Sequence, residues 1–376
     1  MAGIYREIPA KSTPGSQNHT KVAVIVRISI PRLARTALIL ASATAVALSA
    51  AACGGTGTSG GGQTVTVYSA DGMGDWYKTE FAKFKEQTGI AVNVVEAGSG
   101  EVVNRVDKEQ SNPQADLVVT LPPFIQKAAA SGLLQASGID TGMVADTDRD
   151  PNGKYVALAD NYLSFIANPS VDTGRITWDD LLKPEYAGKI QYSTPGQAGD
   201  GTAVLILLQQ LLGKPAALDY LGKLQANNVG PSSSTGKLQA KVDKGELLVA
   251  NGDVQMNLAE IKDKGSKFTL FFPATADGKR STVALPYMMG LAKGAPHRDS
   301  AAKLMSFLLT ADVQRTLGPD AMAVPVRKDL KDAPAATGGL SPAAYLKDVT
   351  VVNPDWNAVL ADLDGDVAAY QKVTGS

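Results

Sequence analysis

From Thr64 onwards the chain alternates short apolar runs of period two with longer stretches of helical spacing, and this alternation constrains its fold more than any other feature. "TVTVYSADG" alternates as far as Ser69 and breaks at Gly72, which marks a first strand. "DWYKTEFAKFKEQTG" follows, with Trp76, Phe81 and Phe84 at helical spacing and Gly89 as the stop. "IAVNVVEAG" reads as a second strand, "EVVNRVDKEQS" as a helix with Val102, Val103 and Val106 on one face, and "ADLVVT" as a third strand. "LPPF" closes that strand, and "IQKAAASGLLQ" continues as helix. Strands joined by helices through short links predict an α/β fold whose parallel sheet is covered by helices. In such sheets ligands collect at the carboxyl ends of the strands.

A second lobe of the same kind is expected over 165–282. It holds the long apolar helix of "GDGTAVLILLQQLLG", a further helix in "PAALDYLGKLQAN", and strands in "GELLVANGD" and "KFTLFFP". "YVALADNYLSFIANP" and "STVALPYMMGLAKGA" are apolar, β-rich and long enough to cross from one body to another. The chain is thus expected to build a first lobe over 64–164, leave it for the second, and return over 283–376 with its C-terminal helices on the outside of the first. The predicted architecture is two Rossmann-like lobes on a two-segment hinge.

The amino terminus follows other rules. Arg27, Arg32 and Arg35 precede "TALILASATAVALSAAA", an uncharged run from Thr36 to Ala52, so residues 1–52 read as an export signal. Cys53, the only cysteine, stands at the end of that run and before the Gly/Ser/Thr tether that completes 53–63. A disulfide within the chain is therefore excluded, and the placement is that of a bacterial lipoprotein's lipidation site, although Ala50 stands where the motif prefers a leucine-like residue. Extracytoplasmic anchoring to the outer face of the cell membrane, or a periplasmic location, follows. Without residues 1–52 the chain keeps 30 basic against 36 acidic residues, a net charge of −6, and no long basic run, which argues against nucleic acid as a partner.

"EAGSGEVVNR", Glu96 to Arg105, places Gly98-Ser99-Gly100 where a strand ends and a helix begins. The first turn of a helix carries free N–H groups and the positive end of its dipole, so Ser99, Gly100 and Glu101 form either an anion seat or an ordinary N-cap. Neither this stretch nor "GDGT" has the lysine and spacing of a nucleotide-binding loop. No G-x-S-x-G, H-E-x-x-H or C-x-x-C is present, and a hydrolase is the remote alternative.

Taken together, "VTVYSADGMGDWY", "GSGEVVNRV", "ADLVVTLPPFIQKAAASGLLQ", "YVALADNYLSFIANP" and "TPGQAGDGTA" resemble the 2-aminoethylphosphonate-binding lipoproteins of bacterial ABC importers. That group is close to the ferric-iron, thiamine and polyamine binders. The resemblance implies a type II periplasmic binding protein fold and capture of a small phosphonate between the lobes. It also implies delivery to permease and ATPase subunits by a monomer that has no cofactor and catalyses nothing. Within this frame Thr194, Gly201 and Thr202 repeat in the second lobe the device of Ser99 and Gly100 in the first, so that two helix N-termini converge on one anion. Ser69, Ala70 and Thr120 are further candidates at strand ends of the first lobe. The ligand's ammonium needs a carboxylate, for which Asp71, Glu101, Asp200 and Asp253 compete, and Tyr162 and Tyr287 lie on the crossing segments. A ferric site is the runner-up: His19 falls in the signal, leaving His297 as the one histidine beyond it, and no two of the eleven tyrosines are adjacent.

Overall fold

Thr64–Ala70 forms the axis of the first lobe in a computed structural model that describes residues 63–330 and 340–375. The expected signal and Cys53 lie outside the described residues. The strand pairs in parallel with Ala91–Ala97 on one side and with Leu117–Thr120 on the other. Beyond Leu117–Thr120 the sheet turns antiparallel, adding Tyr287–Ala292, then Tyr155–Asp160, then Val324–Pro325. Leu117–Thr120 is buried throughout because both of its faces are covered, whereas the edge strand Ala91–Ala97 is only partly covered.

The helix Gly74–Thr88 buries Trp76, Tyr77, Phe81 and Phe84 and ends at Gly89, whose φ of 72° lets its N–H reach the Lys85 carbonyl. The helix expected over "IQKAAASGLLQ" is shorter than its pattern. It spans Phe124–Ala130, after which Gly132 turns the chain at a φ of 70° and Leu134–Gln135 pairs with the strand Tyr287–Ala292. The apolar Leu133 and Leu134 serve the sheet rather than the helix.

The second lobe has its own sheet, in the order Ile190–Gln191, Val249–Asp253, Leu163–Ala167, Thr269–Phe271. Its core is the helix Gly199–Leu212, which is buried from Gly199 to Gln209. The chain leaves the first sheet after Asp160, enters the second at Leu163, and comes back through 284–286. After Val324–Pro325 it passes to the second lobe once more, where Val349–Val352 pairs in parallel with Arg280–Val283, so the expected two-segment hinge has a third passage beside it. The two crossings touch: Leu285 N donates to the Asn161 carbonyl at 2.8 Å, and Tyr162 and Ala284 form an antiparallel bridge.

One expectation needs correcting. The last helix, Trp356–Thr374, lies on the second lobe rather than solely on the outside of the first. Lys214 reaches Asp362 and Asp366 at 2.7 and 3.0 Å, and the hydroxyls of Tyr192 and Tyr370 meet at 2.9 Å. Among the described residues no helix is long and apolar enough to cross a membrane.

Candidate ligand-binding cleft

The carboxyl ends of the central strands open toward the second lobe, and there the two bodies enclose a cavity of about 10 Å³. Ala70, Asp71, Gly98, Ser99 and Leu121 line it from the first lobe, and Ala198, Asp200, Thr235 and Met256 from the second. The lobes meet around it. Gly100 N donates to the Gln197 carbonyl at 2.9 Å, Ser234 Oγ to Asp71 Oδ2 at 2.5 Å, and Gln255 Nε2 to the Gly72 carbonyl at 3.1 Å. Glycine is required at this seam: a Cβ on Gly98 would stand 2.2 Å from the Ser233 carbonyl oxygen, and one on Gly100 2.6 Å from that of Gln197.

Three carboxylates surround the cavity and its wall. Asp71 follows the first strand, Asp200 sits in the first turn of the helix Gly199–Leu212, and Asp253 caps the helix Val254–Lys264 by accepting from Met256 N at 2.7 Å. Asp200 is buried; its Oδ2 accepts from Thr235 Oγ1 at 2.8 Å, while among the described residues Oδ1 finds no hydrogen-bond partner. Burial above all, then Asp253 and Asp71, hold the Asp200 carboxyl well above the usual carboxylate range. Burial likewise pushes Asp253 up to about 6, with Asp71 adding to the effect. Tyr287 Oη lies at the back of this cluster, donating to the Asp71 carbonyl at 2.8 Å, with Asp253 Oδ2 at 3.4 Å.

Two helix N-termini reach the same cavity from opposite lobes, because Gly98 and Ser99 open one helix and Ala198 and Asp200 the other. The details differ from the sequence expectation. The first helix begins at Ser99, not Glu101, and Glu101 Oε2 turns back to accept from Gly98 N at 3.3 Å, so Glu101 is an exposed capping residue rather than an ammonium partner. Thr202 is also spent locally: its hydroxyl donates to the Ala198 carbonyl and accepts from Gly196 N, both at 2.9 Å, and it does not line the cavity. Gly201 answers to packing, since a Cβ there would lie 1.9 Å from the Ser193 carbonyl oxygen. Thr194 Oγ1 accepts from Ser232 N and ties two loops of the second lobe together.

In the first lobe, Ser69 donates inward to the Ala70 carbonyl, and Thr120 donates to the Ser99 carbonyl at 3.1 Å, bracing the helix start. The Gly100 N–H is occupied by Gln197 across the seam. Tyr162 packs with Val254, Leu258 and Phe272 beside the hinge. Of the expected residues, then, Ala70, Asp71, Ser99 and Asp200 line the cavity, with Asp253 and Tyr287 behind them. Reading the sequence missed Ser234, Thr235, Gln255 and Met256. The signal for the first two was present in "PSSSTG", a run of hydroxyl donors between a helix and a short helical turn.

A larger groove of about 930 Å³ adjoins the cavity and shares Asp71 and Met256 with it. It runs between the helix Gly74–Thr88 with the edge strand Ala91–Ala97 on one side and the helix Val254–Lys264 on the other. The cavity is bordered by the starts of the helices Ser99–Lys108 and Gly199–Leu212 together with Asp200, while the groove is bordered by the starts of Gly74–Thr88 and Val254–Lys264. Among the described residues no group of three or more His, Cys, Asp and Glu side chains is placed to hold a metal ion.

This architecture has relatives. Residues 65–318 match the family described as bacterial extracellular solute-binding protein. A Salmonella typhimurium protein, provisionally named for 2-aminoethylphosphonate binding in the periplasm, is 46% identical over 318 residues, covering 83% of this chain and 93% of its own. Among solved structures, a periplasmic thiamin binding protein superposes with a TM-score of 0.69 at 17% identity, covering 83% of this chain and 96% of that one. A ferric binding protein from Campylobacter jejuni superposes with 0.65 at 21% identity, covering 82% and 99%. At such identities the two structures bear on the fold alone.

Proposed function

Because the chain belongs to the bacterial extracellular solute-binding proteins, we propose that the cavity between its lobes is the seat of one small zwitterion, 2-aminoethylphosphonate. The chain is the extracytoplasmic solute-binding component of an ABC transporter, with a type II periplasmic binding protein fold. The observation that carries the choice of ligand is the coincidence, at one cavity, of two helix N-termini and a buried carboxylate oxygen without a partner. The backbone amide and the hydroxyl of Ser99 suit the phosphonate oxygens. Asp200 and Asp71 suit the ammonium, which relieves the cost of burying carboxylates side by side. An anion alone leaves the acids unpaired, and a simple cation leaves the helix ends unanswered.

Binding without catalysis is part of the same reading, as are a monomeric state and lipid attachment at Cys53. The seam contacts at Gly98, Gly100 and Asp71 have to part for the ligand, because the space they leave, about 10 Å³, is room for about one water, and ligand contacts to both lobes then favour the closed form. Calorimetry on the purified protein tests the ligand. 2-Aminoethylphosphonate should bind, and ethylphosphonate and inorganic phosphate should bind more weakly. Ser99→Ala should cost one hydroxyl bond to a charged acceptor, about 1.5–3 kcal/mol, or roughly ten- to hundredfold in affinity. Uptake of ferric ion or a polyamine with indifference to every phosphonate would overturn the reading.

A further inference from the structure

We propose that this protein's ligand class includes aminophosphonates enlarged on the amine side, whose added group lies in the groove beyond Asp71 while the phosphonate stays in the cavity. The inference rests on the function proposed above and concerns which end of the ligand is walled in.

The cavity has two unlike ends. At the first, the seam is shut by backbone: Gly98 lies under the Ser233 carbonyl, Gly100 N is bonded to Gln197, and the Leu121 side chain comes within 2.7 Å of where a Cβ on Gly199 would be. None of Gly98, Ser99, Leu121 or Ala198 borders the groove. The seam has to part there for the phosphonate itself, and an ester methyl would push main chain further than the parent ligand does, which packed interiors resist. The second end is side chain. Asp71 and Met256 border both spaces, and past them the volume rises from about 10 to about 930 Å³. Among the described residues the Asp71 side chain is hydrogen-bonded only by the hydroxyl of Ser234, from a loop of the opposite lobe, so a substituent leaving the ammonium passes two side chains, Asp71 and Met256, to reach the groove.

The groove carries charge of both signs, with Lys85 and Lys237 on its lining as well as acids. Asp75 and Glu260 on its walls are occupied by Lys78 and Lys264, at 2.5 and 2.7 Å. Glu96, at the carboxyl end of the edge strand, stands near the mouth with its carboxylate against Gly74. Among the described residues Glu96 makes no ion pair, and it is the acid proposed to meet a second positive charge on the substituent. The favoured additions are therefore alkyl groups and, more so, aminoalkyl groups.

Calorimetry with four ligands decides it: 2-aminoethylphosphonate, its N-methyl derivative, its N-(3-aminopropyl) derivative and its O-methyl phosphonate monoester. The two N-substituted ligands should bind within about tenfold of the parent, and the monoester should be weaker by more than about a hundredfold. Glu96→Gln should weaken the N-(3-aminopropyl) ligand alone, leaving the parent unchanged. Binding of the parent with both N-substituted ligands lost as fully as the ester overturns this inference and leaves the function standing. Failure of the parent itself overturns both.

Discussion

Asp200 is a carboxylate placed against its own chemistry: it is buried, it shares its surroundings with Asp253 and Asp71, and one of its oxygens has no partner among the described residues. Such arrangements lower stability and persist where a ligand supplies the missing charge. The sign follows from Asp253, whose folded-state pKa of about 6 lies above its ordinary value of 3.8. A carboxyl raised in this way contributes stability fully below its unfolded pKa and loses it as pH rises through 6. The ligand-free protein should therefore lose stability between about pH 4 and pH 6, by up to about 3 kcal/mol from this group. Asp253→Asn keeps an acceptor for Met256 N while removing the charge, so its thermal unfolding midpoint should vary less over that window and exceed wild type at neutral pH. A mutant curve that keeps the wild-type pH slope would exclude this account. The identity of these acids could be read from the sequence, but their roles could not. Glu101 and Asp200 each follow a glycine within the first turn of a helix, and only the fold turns one back onto the Gly98 amide while walling the other in.

At the scale of elements, the strand–helix alternation from Thr64 to Thr120 was legible because each segment is long enough for its period to show and ends in a glycine or a proline-containing turn. Legibility failed where tertiary neighbours decide. The apolar pair Leu133 and Leu134 fits a helix or a strand equally well until the strand Tyr287–Ala292 lies beside it. The last helix, weakly amphipathic in sequence, takes its place from Lys214 and Tyr192, more than a hundred residues away in the chain. The glycines around Ser99 were read as features of a helix start. Gly98, however, has φ −61° and ψ 149°, which any residue adopts, so its backbone does not demand glycine. The opposite lobe does. Gly98→Ala should leave the thermal midpoint within what an N-cap exchange costs, about 1 kcal/mol, and weaken ligand binding by more than about tenfold because the lobes cannot meet. Equal affinities for mutant and wild type, measured by calorimetry, would show that the seam has slack.

For the whole molecule, the anchor belongs to the proposal and has a direct test. Lipid on Cys53 should send the mature protein into the detergent phase with membranes, and Cys53→Ala should release it to the aqueous phase; equal retention of the two would argue against lipidation. The hinge has a mechanical meaning of its own. Its two strands are not independent tethers, because Leu285 is bonded to Asn161 and Tyr162 bridges Ala284. A bonded ribbon bends across its flat face with little resistance, but sliding one strand along the other breaks the pairing and shifts its register. The paired crossings thus favour bending over sliding, and the later passage after Val324–Pro325, which leads to the pairing of Val349–Val352 with Arg280–Val283, adds a further link between the lobes. On the function proposed above, closure would bring Ser233 back to Gly98, and the separation of the lobes would be what tells a permease touching both that cargo is aboard.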